Sequence, residues 1–164
     1  MTATVLIVDD STFIVEGLVA ILGKSFRALP SFGGEECLAI LRKEKPDLIV
    51  LDIMMEPMDG WETLSRIKEN PDTRHIPVLM FSAKKISPEE AEAHRIRIDD
   101  FLTKPVNPRE LITAIEKILG REKRNKAILH YWSKAGFSRD SIDEYLTWSS
   151  NLEVDSSLLV AMKK

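Results

Sequence analysis

The residue order of this chain specifies an α/β domain built on a parallel sheet, and two observations carry that reading. Four short apolar runs stand out: Val5-Leu6-Ile7-Val8, Leu48-Ile49-Val50-Leu51, Val78-Leu79-Met80-Phe81 and the weaker Phe101-Leu102. They lack polar alternation, as strands covered on both faces do. Between them lie stretches of helical period. Strand and helix alternate about five times over the first 120 residues, the pattern of a sheet with right-handed crossovers.

Taken in order, the run at 5–8 is followed by Phe13, Leu18, Ile21 and Leu22, spaced as one helix face. A marginal strand is expected at Ser25 to Leu29. Cys37, Leu38 and Leu41 mark the next helix, ahead of the run at 48–51. Trp61, Leu64 and Ile67 supply the helix before the run at 78–81, and Leu111, Ile115, Ile118 and Leu119 close the series after Phe101-Leu102. The block is expected to end near Gly120, giving a domain of residues 1–120 and a helical extension of residues 121–164. In the extension, Ile128, Tyr131, Trp132 and Ala135 fall at i, i+3, i+4 and i+7, with Gly136 at the C-cap. Ser138 is the expected N-cap of a second helix, with Phe137 and Ile142 as its hydrophobic staple. A third helix is expected from Asp155 through Leu158, Leu159 and Met162. So short an extension has little core of its own, which predicts packing on the main domain or on a second chain.

Composition bounds the function. A length of 164 residues excludes two large domains, and 44% hydrophobic against 30% charged residues excludes a disordered chain. The net charge of −3 provides no long-range pull toward nucleic acid or anionic lipid, although residues 1–120 carry −5 and residues 121–164 carry +2. One cysteine, Cys37, cannot form an internal disulfide. Apolar runs of at most five residues are too short to span a membrane, and no signal peptide is evident. A cytoplasmic protein with no membrane partner is expected.

In open parallel sheets ligands bind beyond the carboxyl ends of the strands. There the runs deliver Asp9 and Asp10, Asp52, Ser82, and Thr103 with Lys104. Three carboxylates held close repel one another unless a cation sits among them. Mg²⁺ suits such a set, since it takes one or two carboxylates, keeps some waters and leaves room for a phosphoryl oxygen. A carboxylate nucleophile beside that ion makes a phosphoryl-accepting site, with Lys104 and Ser82 meeting the remaining phosphoryl oxygens.

Val8-Asp9-Asp10, Leu51-Asp52 with Met55, Met58, Asp59 and Gly60, Phe81-Ser82-Ala83, and Asp100-Phe101-Leu102-Thr103-Lys104-Pro105 together resemble the signature blocks of the response-regulator receiver domain over about residues 3–120. The resemblance implies a flavodoxin-like five-stranded parallel sheet of order 2-1-3-4-5 with helices on both faces. It implies that Asp52 accepts a phosphoryl group from a histidine kinase or phosphotransfer protein. Asp10 would bind Mg²⁺ directly and Asp9 mostly through water, with Asp52 and the main-chain carbonyl of Met54 completing the protein ligands. Lys104 would pair with Asp52 or its phosphoryl group, while Ser82 and Phe101 would be the switch residues that carry the change to a downstream protein or to the tail.

The chain departs from the family pattern in four places. Glu56 stands where proline is common, and Pro57 follows it. Met54 and Lys84 hold variable positions beside the acceptor and the switch serine. Arg97-Ile98 replaces the usual Gly-Ala pair, and Phe101 lacks a tyrosine hydroxyl. His75, His94 and His130 have no metal-ligand spacing and read as surface or helix-end residues. Trp61 and Trp132 read as packing residues, Trp148 lies on an amphipathic stretch with an acidic side, and Arg121-Glu122-Lys123-Arg124 reads as a solvated helix face.

Two other functions compete with a signalling switch. A DNA-binding transcription regulator would use the helical tail, but Asp140, Asp143 and Glu144 on its middle helix would repel phosphates. DNA is therefore not the expected partner, whereas self-association through the tail is open. A Mg²⁺-dependent hydrolase with an aspartyl-phosphate intermediate would need a second acid/base and a cap, and neither is evident. The expected protein is thus a switch that loads itself and turns over no external substrate.

Overall fold

The computed structural model describes residues 2–94 and 98–151. Five strands form one sheet: β1 (Thr4–Val8), β2 (Arg27–Ser31), β3 (Leu48–Leu51), β4 (Val78–Ser82) and β5 (Asp100–Thr103). All pair in parallel, in the order β2-β1-β3-β4-β5. This is the flavodoxin-like arrangement that the resemblance implied. The helices are α1 (Thr12–Leu22), α2 (Gly34–Leu41), α3 (Gly60–Glu69), α4 (Pro88–His94), α5 (Pro108–Lys134) and α6 (Arg139–Asn151).

The unbroken apolar character of β1 follows from the two-residue side-chain repeat of a strand covered on both faces. Val5 and Ile7 enter one core with Val15 and Leu22 of α1 and Leu111, Ile115 and Ile118 of α5. Leu6 and Val8 enter the other with Cys37 and Leu41 of α2 and Leu64 and Ile67 of α3. Contacts divide the chain into two compact units, Met1–Leu119 and Gly120–Lys164. No helix among the described residues is long and apolar enough to cross a membrane.

Four expectations are revised. Phe13 does not face the core; it is 85% exposed, and Val15 is buried instead. Two residues along a helix turn it by about 200°, so the stripe that buries Val15 and Leu22 puts Phe13 on the outer side. The second strand runs Arg27–Ser31 rather than Ser25–Leu29, in register with Thr4–Val8. Pro30 is accommodated because β2 is an edge strand.

The third revision is α4, which has no apolar period to announce it. It begins instead at a reciprocal cap, in which the Glu90 N–H donates to Ser87 Oγ (3.1 Å) and the Ser87 N–H donates to Glu90 Oε2 (3.2 Å). Its last residue, His94, is stacked on Trp61 of α3 with ring centroids 4.1 Å apart. Fourth, α5 does not stop at Gly120 but continues to Lys134. An interior glycine costs about 1 kcal/mol, which the helix formers at 121–124 offset.

In the second unit α5 ends in a Schellman motif. Gly136 has φ 92°, its N–H donates to Ser133 O, and the Phe137 N–H donates to Trp132 O. The Trp132 and Phe137 rings lie 5.0 Å apart, supplying the apolar contact of that motif. Ser138 caps α6 through the Ser141 N–H at 3.2 Å, and Ile142 is buried. The helix expected from Asp155 to Met162 and the side chain of Trp148 lie outside the described residues.

Cys37 is buried in the α2 face, and loss of hydration, aided by nearby Glu36, pushes its thiol up to about 12. The expected result is no reaction with an aromatic disulfide reagent at pH 8 in the native protein and stoichiometric reaction in urea. Labelling of native protein at the rate of a free thiol would contradict this packing.

Candidate functional site

The carboxyl ends of β1, β3, β4 and β5 converge on one rim. Asp9 and Asp10 follow β1, Asp52 follows β3, Ser82 ends β4 and Lys104 follows β5. Main-chain bonds set the height of these residues: the Asp52 N–H donates to Val8 O at 3.0 Å, and the Lys104 N–H donates to Ser82 O at 2.9 Å. Asp9, Asp10 and Asp52 each place a carboxylate oxygen within 4.8 Å of the others. Asp9 and Asp52 are buried and Asp10 is exposed, so the cluster opens to solvent on one side.

Lys104 is the counter-charge. Its Nζ lies 2.5 Å from Asp9 Oδ2 and 3.7 Å from Asp52 Oδ2, closest to Asp9, and 5.2 Å from the centre of the Phe81 ring. With 13% of its side chain exposed, the ammonium is largely shielded from water. The Asp9 Oδ1 atom accepts the Ser11 N–H at 2.9 Å, which fixes the turn into α1.

Asp52 keeps one oxygen, Oδ1, buried without a hydrogen-bond partner among the described residues. Burial pushes its carboxyl above the ordinary aspartate range; the Ser82 hydroxyl and Lys104 pull it back, and the Asp9 charge adds to the rise. A buried carboxylate oxygen that lacks a donor, set among three acids and one lysine, suits a hard cation with oxygen ligands. The residues fit Mg²⁺ on this ground.

The departures from the family pattern have visible consequences. The Glu56 N–H donates to Asp10 Oδ2 at 3.3 Å, while its side chain is exposed and stands outside the carboxylate cluster. The Glu56-Pro57 and Lys104-Pro105 peptides are cis. Met54 is 60% exposed beside the acceptor. Lys84 does not reach into the site; its Nζ pairs with Glu90 of α4 at 2.6 Å and holds that carboxyl below its ordinary range. The Lys84 N–H donates to Ser82 Oγ at 3.3 Å, which ties the serine to the loop leading to α4. Phe101 is half-buried against the core formed by α2 and α3. Arg97 lies outside the described residues.

One determinant was not visible as chemistry. Asp59 caps α3 by accepting the Glu62 N–H at 2.8 Å, and Gly60 then passes directly under the acceptor loop. A Cβ at Gly60 would stand 2.1 Å from the Asp52 carbonyl oxygen and 2.6 Å from the Ile53 Cα. The Gly60 N–H donates to Ile53 O at 2.8 Å, fixing that approach. The Asp-Gly pair is the local signal for such a turn.

Comparison with known proteins agrees with this geometry. The profile of the response regulator receiver domain matches residues 5–116. The chain is 35% identical over 126 residues to the transcriptional regulatory protein YvrH of Bacillus subtilis, covering 76% of this chain and 52% of that protein. It thus spans about half the length of the curated relatives it matches. Among solved structures it is 52% identical to the N-terminal domain of a response regulator receiver protein from Methanoculleus marisnigri JR1, with a TM-score of 0.61 over 71% of this chain and 96% of that one. The chemotaxis protein CheY4 of Vibrio cholerae is 28% identical with a TM-score of 0.67, over 72% of this chain and 99% of that one.

Proposed function

Since this chain belongs to the response regulator receiver family of two-component signalling, we propose that Asp52 is its phosphoacceptor and that it is loaded by a histidine kinase or phosphotransfer protein. The observation that carries this reading is the convergence of Asp9, Asp10 and Asp52 within 4.8 Å, with Lys104 bridging the first and the last. An Asp52 carboxylate oxygen forms a bond to phosphorus as the phosphorus–nitrogen bond of the donor phosphohistidine breaks, and the departing imidazole takes up a proton.

Asp9, Asp10, Asp52 and the Met54 carbonyl would hold Mg²⁺. When bound, that ion supplies positive charge against the phosphoryl oxygens. Lys104 contributes an ammonium to one phosphoryl oxygen, exchanging part of its present hold on Asp9 for the new charge. Ser82 donates to another, and in moving toward it gives up the bond from the Lys84 N–H. Phe101, next to the same loop, follows as the second switch residue. The chain acts in the cytoplasm as a switch without an external substrate. Its output passes to a partner protein or to its own tail, where exposed Asp140, Asp143 and Glu144 on α6 disfavour a DNA backbone.

The test is intact mass after incubation with Mg²⁺ and acetyl phosphate. Wild type is expected to gain one phosphoryl group and Asp52→Asn none; equal gain in both would place the acceptor elsewhere. A second expectation concerns lifetime. The apolar Met54 side chain stands beside the acceptor, so Met54→Asn should admit an attacking water and speed dephosphorylation several-fold, and an unchanged rate would remove shielding as the explanation.

A further inference from the structure

We propose that the second unit carries a binding site for a small polyphosphate-bearing molecule, of nucleoside diphosphate class, in the cleft between the end of α5 and the start of α6. The cleft is a cavity of about 350 Å³ lined by residues of that unit alone, at the small end of the range for ligand pockets. Its charge has one sign. Lys126, His130 and Lys134 stand at i, i+4 and i+8 on α5, one above the other on a single face, and Arg139 faces them from the first turn of α6. Among the described residues no carboxylate lines the cavity.

Lys126 and Lys134 thus present two ammonium groups to one cleft, with Arg139 opposite. Among the described residues, no ion pair involves Lys126 or Lys134, whereas Arg139 pairs with Asp143 at 3.8 Å on its own helix. An anion in the cleft would meet the charges of Lys126, Lys134 and Arg139 at once.

The shape selects among anions. Lys134 lies eight helical positions beyond Lys126, a span of about 12 Å, which is longer than one phosphate and suited to linked phosphoryl groups. Ser133 adds a hydroxyl donor, while the half-buried Leu129 offers an apolar side chain that a planar ring would cover. A long nucleic acid is disfavoured, because Asp140, Asp143 and Glu144 follow Arg139 on α6 and would meet a continued backbone with like charge.

The experiment is isothermal titration of the full chain with ADP, pyrophosphate and adenosine, in EDTA so that no Mg²⁺ bridges a nucleotide to the aspartate cluster. ADP is expected to bind, pyrophosphate to bind more weakly, and adenosine not at all. Affinity should fall as salt rises. The double variant Lys126→Glu/Lys134→Glu should weaken ADP at least tenfold, with circular dichroism verifying its helices. Should that variant fail to fold, the single change His130→Gln is expected to weaken ADP about threefold. Failure of both anions to bind at millimolar concentration, or equal binding by the variants, overturns the site. Displacement of ADP by a lower concentration of duplex DNA would also overturn it, assigning the surface to nucleic acid. Because acetyl phosphate loading reads Asp52 separately, this result and that of the receiver assignment are independent.

Discussion

Replacing Gly60 with Ala is expected to destabilise the protein by about 2–3 kcal/mol and to impair phosphoryl loading at Asp52. Substituting glycine in a helix ordinarily stabilises it by lowering backbone entropy, so the expected sign is opposite to the helix-propensity rule. The reason is contact. The new methyl group would stand 2.1 Å from the Asp52 carbonyl oxygen and 2.6 Å from the Ile53 Cα, and both obstacles are backbone rather than a side chain able to swing away. Relief requires α3 to retreat, which breaks the Gly60 N–H to Ile53 O bond, or the acceptor loop to rise, which moves Asp52 relative to Asp9 and Lys104. Urea denaturation and intact mass after acetyl phosphate treatment check both halves. Gain of stability with normal loading would show that α3 and the loop separate freely.

Lys104→Met is expected to cost about 3 kcal/mol in the absence of Mg²⁺. The change keeps much of the volume and removes the charge, leaving Asp9 and Asp52 buried together without a cation. Addition of Mg²⁺ should recover more stability in the variant than in wild type, because the ion replaces the missing charge. Equal Mg²⁺ responses would show that the lysine is not the compensating group.

The same cluster sets a pH dependence. Burial raises the folded-state pKa of Asp52 above its unfolded value. Its contribution to stability is therefore fully present below the ordinary aspartate range and is lost as pH rises through the raised folded value. In metal-free solution Asp52→Asn should remove that loss and be more stable than wild type at pH 7. Thermal melts of the two proteins in EDTA between pH 4 and pH 7 measure it, with parallel curves as the contrary result.

The sheet was legible from residue order because its signal is local. A strand covered on both faces must be apolar at every position, as 5–8, 48–51 and 78–81 are, and the polar residue that ends each run must then lie at the rim. Parallel pairing sends every such end to the same side, so a linear reading was enough to bring Asp9, Asp10, Asp52, Ser82 and Lys104 together. The receiver blocks supplied the strand order, which periodicity alone does not contain.

Other features depend on which surfaces meet. Val15, Leu18, Val19 and Leu22 fall at i, i+3, i+4 and i+7, a stripe that Phe13 does not share, and packing against β1 selects that stripe over the larger aromatic ring. The passage of α5 through Gly120 reflects a balance between a propensity cost and its flanking helix formers, which a glycine read as punctuation misjudges. α4 is held by a cap, the Lys84–Glu90 pair and the Trp61–His94 stack, and none of these produces a hydrophobic period. Lys104 lies closer to Asp9 than to Asp52, a distinction of about 1 Å in side-chain placement. Chain order states which groups reach the rim, since strand direction and the two-residue repeat are properties of each segment. Distances among those groups arise from segments far apart in the chain, and the bare backbone at Gly60 on which the acceptor loop rests is set by how α3 packs beneath that loop; both exist once the elements are packed.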